Sequence, residues 1–194
     1  KSFISFEKMK LLRLANTINS TSAPYNQFSL GFKNDFEQTF CSLFENDILV
    51  DKKIINYHCN GSILKMFRTL KILIKDNNYD VIHIHSGVTG IIFIFAIFPF
   101  NLGLISKTLF TLHNSWHVLK TRNQFLNFIV MLFAKKVCTC GVSSRKSIPK
   151  FINFFIRNKT IPIVNGFDHQ RIDNIEEKKS NINYFDECSN IKIV

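Results

Sequence analysis

Three histidines stand where a proton could be handled. His83 and His85 alternate within Val81-Ile82-His83-Ile84-His85, and His113 follows Thr111-Leu112. Side chains two apart in a strand share a face, so His83 and His85 point the same way, with His85 at the strand's carboxyl end. Histidine is the side chain that exchanges a proton near neutral pH, which suits it to acid–base and hydrogen-bonding work. It is equally suited to a satisfied structural role, and the sequence leaves both roles open. Small and polar groups recur in equivalent places: Ser86-Gly87, Asn114, Gly141-Val142-Ser143-Ser144 and Asn165-Gly166-Phe167-Asp168. Each of these follows a short apolar run.

Those runs are the elements that must position the polar groups. Short β-rich segments alternate with longer segments of helical period. Strands are expected at Lys10 to Leu14, Gln38 to Phe44, Ile54 to Tyr57, Val81 to His85, Lys107 to His113, Lys136 to Cys140 and Thr160 to Val164. Helices are expected at Pro24 to Phe32, capped by Ser22, at Ser62 to Lys75, at Val88 to Phe98 and at Arg122 to Ala134. Ser144 is expected to cap a further helix running toward Phe155. In the Ser62 to Lys75 segment, Ile63, Met66, Phe67, Leu70 and Ile74 recur at helical spacing. Strand–helix alternation of this kind implies βαβ units and a parallel sheet. Such a sheet binds ligands at the carboxyl ends of its strands, where the polar residues fall.

Several chemistries are excluded by missing motifs. No Gly-x-Gly-x-x-Gly follows the first strand, which disfavours NAD binding. There is no Gly-Lys-Ser/Thr of a P-loop, no Asp-x-Asp of a metal-dependent transferase and no Gly-x-Ser-x-Gly elbow. The five cysteines, Cys41, Cys59, Cys138, Cys140 and Cys188, are odd in number and scattered, which points to reduced, mostly buried thiols in a cytoplasmic protein. Cys138 and Cys140 share a strand face, but no second ligand pair has matching spacing, so no metal site is expected.

The 194 residues suffice for one domain with a sizeable core, and 46% hydrophobic with 20% charged residues lies in the globular range. The net charge of +11 has a bland origin available. Lys, Asn, Ile and Phe all use A/T-rich codons, so base composition alone can raise it. A basic membrane-facing surface and nucleic acid are the functional readings. Nucleic acid is disfavoured because no strand interleaves aromatic and basic residues. Lys1 to Lys8 is polar and charged and does not resemble a secretory signal; Met9 is a plausible natural start. Ser86 to Ser106 carries no charge, yet its uninterrupted apolar part, Ile91 to Phe98, is far short of the ~20 residues of a membrane span. A buried helix and loop is expected there instead. From 173 to 190 the chain turns polar and acidic, as a linker does, and Ile191 to Val194 reads as the start of another strand.

The ordered set Tyr79-Asp80-Val81-Ile82-His83-Ile84-His85, Thr111-Leu112-His113-Asn114, Gly141-Val142-Ser143-Ser144 and Ile161-Pro162-Ile163-Val164-Asn165-Gly166-Phe167-Asp168 resembles the N-terminal domain of the group-1 (family 4) glycosyltransferases. These have the GT-B fold, two Rossmann-like domains facing a cleft. The resemblance covers about residues 9 to 172. It implies an α/β, Rossmann-like acceptor-side domain over 9–172, a linker over 173–190, and the beginning of a donor-binding domain at 191–194.

By the same resemblance the activity is metal-independent transfer of a sugar, with retention, from a nucleotide-sugar donor to a glycan or lipid-linked acceptor. The nucleotide-sugar is a co-substrate and no cofactor is expected. His113 falls on the family's Thr-x-His histidine, beside the transferred sugar, and is the catalytic candidate. His85, Ser86 and Asn114 fall on the acceptor side, and Asn165 and Gly166 on the hinge. Where the family often has a Gly-Gly loop near the donor diphosphate, this chain has small residues at Ser22 and Ala23. The family's acceptor domains often touch membranes, and Lys120 and Arg122 with Lys135 and Lys136 flank an apolar segment carrying Phe125, Leu126, Phe128 and Phe133. That arrangement suits peripheral contact with an anionic inner membrane face, or else a buried helix with solvated ends. A binding subunit that holds acceptor or membrane while a separate chain holds the donor is the alternative.

Overall fold

Among the described residues seven strands form one sheet, and every pairing between them is parallel. The computed structural model describes residues 8–18, 36–44 and 54–164. The strands are β1 (Met9–Ala15), β2 (Phe36–Ser42), β3 (Ile55–His58), β4 (Val81–Ile84), β5 (Thr108–Leu112), β6 (Lys136–Thr139) and β7 (Thr160–Pro162). They lie in the order β3-β2-β1-β4-β5-β6-β7. The sequence order therefore reverses between β1 and β4, and a crevice opens there at the carboxyl ends of the strands. This is the Rossmann-like α/β sheet expected, with each strand within a few residues of its expected bounds. The expected helix at Pro24 to Phe32, Ser22, Ala23, Asn165, Gly166 and the segments 173–190 and 191–194 lie outside the described residues.

The helices among the described residues are α1 (Ile63–Asp76), α2 (Gly87–Ile97), α3 (Thr121–Phe133), α4 (Val142–Lys146) and α5 (Lys150–Ile156). Helix α1 is amphipathic: Met66, Leu70 and Leu73 are buried, and Ser62 caps it by accepting from the Lys65 amide at 3.2 Å. Helices α1 to α3 pack on the sheet face that carries Leu12, Leu14, Ile82, Ile84, Phe110 and Leu112, forming the main apolar core. Close approach of α2 and α3 depends on missing side chains. A Cβ on Gly90 would lie 2.6 Å from a Val130 methyl and 3.1 Å from Ile84, and one on Gly87 would strike Asn127.

Two expectations need correction. Ser144 does not cap one long helix: α4 begins after Gly141, whose φ of 110° favours glycine, and it ends before Pro149. A proline disfavours helical backbone in the residue before it, so the chain restarts as α5. Ser144 is buried inside α4, and its hydroxyl donates to the Asn114 carbonyl at 3.3 Å. The second correction concerns α2. Its inner face is buried as expected, but Phe95 is 65% exposed and Phe98 61%. No helix among the described residues is long and apolar enough to cross a membrane.

Candidate functional site

The sheet carries its two alternating sets of side chains to different neighbourhoods. One set enters the apolar core. The other includes Arg13, His83 and Thr111, all buried, and continues past the strand ends to His85 and His113. His83 Nε2 lies 2.8 Å from the Thr111 hydroxyl. The His83 and His85 ring centroids are 3.8 Å apart, as the shared strand face requires. His85 Nδ1 lies 3.0 Å from His113 Nε2, and His113 Nδ1 lies 3.6 Å from the Cys140 sulfur. The histidines at the ends of β4 and β5 thus form a hydrogen-bonded pair, with a thiol from the end of β6 on its far side.

The pair borders a crevice of about 140 Å³ at the β1/β4 reversal. Asn16, His85, Ser86, Thr111, His113, Asn114, Asn123 and Asn127 supply its polar lining, with Leu119 and Leu126 apolar beside them. Ser86 does two jobs. It caps α2 by accepting from the Val88 amide at 3.2 Å, and its hydroxyl donates to Asn16 Oδ1 at 2.7 Å. The first turn of α3 is held by Gln124, whose amide donates to the Trp116 and Leu119 carbonyls at 3.1 and 3.0 Å.

The structure therefore brings His85, Ser86, His113 and Asn114 into one crevice. It adds Asn16, Asn123 and Asn127, which sequence reasoning missed. Asn16 follows β1 directly and occupied a strand end like the others. Asn123 and Asn127 are four apart on α3, so they share a helix face, but only packing through Gly87 shows that the face meets the crevice.

Burial sets the electrostatics. Desolvation, and then the charges of Arg13 and His113, hold the His83 ring well below the usual histidine value. His85 is also held well below it, by burial first, then by His83, Arg13 and His113. Burial lowers His113 as well. Burial brings the Arg13 guanidinium down to about 9, so it remains a cation at neutral pH. The three imidazoles are then neutral at pH 7, and each has one N–H and one bare nitrogen. If Cys140 donates to His113, then His113 donates to His85. If the order is reversed, His85 donates to His113 and His113 to the sulfur. A proton can be offered at either end of the chain without any net charge being created.

This neutrality has a cost in acid. The unfolded chain's histidines take up protons near pH 6.5, whereas the folded ones resist. Stability is full above that value and is lost as pH falls from it toward the depressed folded values. The slope is at most about 1.4 kcal/mol per pH unit for each histidine in that window. Urea midpoints measured from about pH 7.5 to about pH 5 should fall steadily, and His83→Gln should flatten the fall. Midpoints that do not move across the window would contradict buried neutral rings.

Lys120, Arg122, Lys135 and Lys136 are all exposed, the first two at one end of α3 and the others just past its opposite end. Lys120 and Arg122 are next in sequence to Leu119 and Asn123, which line the crevice. Phe125 on α3 is 63% exposed. Phe128 packs its ring against Phe151 and Phe155 of α5 at centroid distances of 6.3 and 6.4 Å, and Phe151, Phe154 and Phe155 are themselves exposed. The sequence carried that cluster in Phe151-Ile152-Asn153-Phe154-Phe155, whose aromatic residues recur at helical spacing.

No family model matches the chain, and no curated protein matches it in sequence. Among solved structures it is similar to a protein from Listeria monocytogenes assigned as a UDP-N-acetylglucosamine 2-epimerase, with a TM-score of 0.44 and 12% identity. That similarity covers 73% of this chain and 42% of the other, so the chain spans less than half the length of that structure.

Proposed function

We propose that the chain is the acceptor-side half of a retaining, metal-independent glycosyltransferase of GT-B type, which moves a sugar from a nucleotide-sugar to a glycan or lipid-linked acceptor. The observation that carries the reading is the His85–His113 pair at the β1/β4 reversal, bordered by amides and a hydroxyl. Among the described residues its lining contains no Lys or Arg. Amide, hydroxyl and neutral imidazole groups match the many hydroxyls of an uncharged sugar, because each can donate or accept as needed. In this reading His113 faces the reacting sugar, and His85, Ser86 and Asn114 hold the acceptor. Rate enhancement comes from positioning and from fixed dipoles aimed at developing charge. The residues 9–172 make up this domain, Asn165 and Gly166 its hinge, and Ser22 and Ala23 its approach to the donor.

Product analysis tests the proposal. A complete protein containing this chain, supplied with nucleotide-sugars and a glycan or glycolipid acceptor, should yield a glycosylated acceptor that keeps the donor's anomeric configuration. Conversion of the nucleotide-sugar with the acceptor unchanged would overturn it.

A second reading, as an acceptor- or membrane-binding subunit that pairs with a separate donor-binding chain, draws support from the exposed aromatic cluster of α3 and α5 between basic ends. Aromatic residues enter the headgroup region while Lys and Arg meet anionic lipid, an attraction that salt screens. We expect weak co-sedimentation with anionic vesicles that fades as salt rises, and less of it after Lys120→Glu with Arg122→Glu. Failure to sediment even at low salt would remove membrane contact from either reading.

A further inference from the structure

From Val81 to Val164 the chain has no Asp or Glu, although it has 14 in all, and ten of its 25 Lys and Arg fall there. A base composition that favours Lys does not explain this, because Asp and Glu are ordinary elsewhere in the same chain. Topology divides the cations between the two ends of the sheet. All strand pairs are parallel, so a connection leaves each strand at the carboxyl end and enters the next at the amino end. Two cations at the amino end have structural duties. Lys107 donates to Asn78 Oδ1 and the Tyr79 carbonyl at 3.1 and 2.8 Å, and Lys159 donates to the Leu132 and Ala134 carbonyls at 2.6 and 2.9 Å.

Four others lie on the connections that leave β5 and β6. Lys120 and Arg122 flank the first residue of α3, and Arg145 and Lys146 end α4. Two hydrogen bonds hold these connections together. The Ser144 hydroxyl donates to the Asn114 carbonyl at 3.3 Å, and the Trp116 amide donates to the Ser147 hydroxyl at 2.7 Å. Asn114, Leu119 and Asn123 line the crevice, so both cation pairs stand on segments that also build it. The carboxylates among the described residues lie at the other end: Glu37 near the start of β2, Asp76 at the end of α1 and Asp80 directly before β4. Gathered cations without counter-charges repel one another and set a positive potential in the adjoining solvent. Adjacent strands lie ~4.8 Å apart, so α4 leaves the sheet about 10 Å from β4. That offset places negative charge not on the ring in the neutral crevice but farther along the same molecule.

We infer that the connections after β5 and β6 hold the anionic groups of a charged glycan, and that the acceptor is an acidic polysaccharide whose uncharged terminal sugar enters the crevice. This rests on the proposed transfer reaction and specifies its acceptor. A membrane fits these four cations less well. They share the end of the sheet that faces the second domain in the proposed enzyme, a cleft that a polymer can thread and a bilayer cannot enter. The crevice supplies orientation, and the cations supply attraction and selection for charge.

The test uses the 194-residue chain with hyaluronan oligosaccharides, in which neutral and carboxylate sugars alternate, trimmed to a neutral N-acetylhexosamine at the non-reducing end. Their methyl esters have the same rings and no charge. The acid form should bind about tenfold more tightly than the ester at low salt, and the gap should close as salt rises. Saturation should shift the ring signals of His85 and His113 in NMR spectra. Arg145→Glu with Lys146→Glu should weaken the acid form about tenfold, leave the ester unchanged and leave the circular dichroism intact. Lys120→Glu with Arg122→Glu should do the same. Lys135→Glu with Lys136→Glu makes the same change of net charge at the amino end and should leave the affinity unaltered. Equal binding of acid and ester, an equal loss from the amino-end pair, or binding that leaves both histidine signals unmoved would each overturn the inference. So would binding to phosphatidylglycerol vesicles that requires Arg145 and Lys146 while the oligosaccharides do not bind, which would give these cations to a membrane. Failure of the transfer reading is separately visible. Oligosaccharides that bind as described, with a complete protein that transfers nothing, would leave the anionic-glycan site standing. Transfer to neutral acceptors, with no preference for acidic ones, would do the reverse.

Discussion

In a complete protein with the proposed transferase activity, His113→Ala should lower turnover by ~10²-fold or more and leave the fold intact. The ring joins two hydrogen bonds, 3.0 Å to His85 and 3.6 Å to the Cys140 sulfur. Its removal breaks the hydrogen-bonded chain and would free His85 to turn away from the proposed acceptor position. On the proposed role neutrality makes the expected loss larger, because a neutral imidazole can either accept a hydroxyl proton or donate toward charge as it forms. The fold should survive because His113 follows β5 at the half-buried edge of the sheet and is not part of the apolar core. Water can fill the space among polar neighbours. Saturating turnover and circular dichroism measured together check the claim. Near-normal turnover with native secondary structure would end the assignment of His113 as the central residue. His113→Gln sharpens it, since an amide can restore hydrogen bonding but cannot exchange a proton.

The sheet and the two edge histidines were legible because they follow from local rules. Apolar strands between helical segments demand parallel order, and side-chain alternation places His83 with His85 whatever surrounds them. The start of α1 was legible for the same reason, since Ser62 acts on its own backbone. What was not legible depends on packing between elements. Asn127 reads as one polar residue in an apolar helix until Gly87 brings α2 against it. Helix α2 is apolar all round and so reads as buried. Whether its outer face is covered depends on which elements lie beside it, and periodicity carries no information on that. Pro149 was visible, but spacing alone did not show that α4 would end before it and α5 restart after it. The link from His113 to Cys140 spans two strands and required the β5–β6 register, in which Leu112 faces Thr139.

The same crevice predicts what the isolated chain cannot do. The 194 residues alone should transfer no sugar and should bind free nucleotide-sugars weakly or not at all. At about 140 Å³ the crevice is smaller than the ~300–1,000 Å³ that ligand pockets commonly offer, and a nucleotide-sugar must house a base, a ribose, two phosphates and a hexose. Its electrostatics point the same way. Among the described residues no Lys or Arg lines this cavity, so a diphosphate would meet only neutral donors there, the side-chain amides and the first turn of α2. Lys120 and Arg122 are exposed and do not line it. On volume the space suits a sugar ring better than a whole nucleotide-sugar. Transfer requires both partners in register, and holding them so accounts for much of the rate enhancement available to an enzyme without a metal. With one partner unheld, the remaining groups have no reacting centre to act on. Calorimetry with UDP-, GDP- and ADP-sugars checks the prediction directly, alongside an assay for transfer by the purified chain. A micromolar dissociation constant for any of them, or measurable product, would mean that the donor site lies on this half, formed by residues other than those of the crevice.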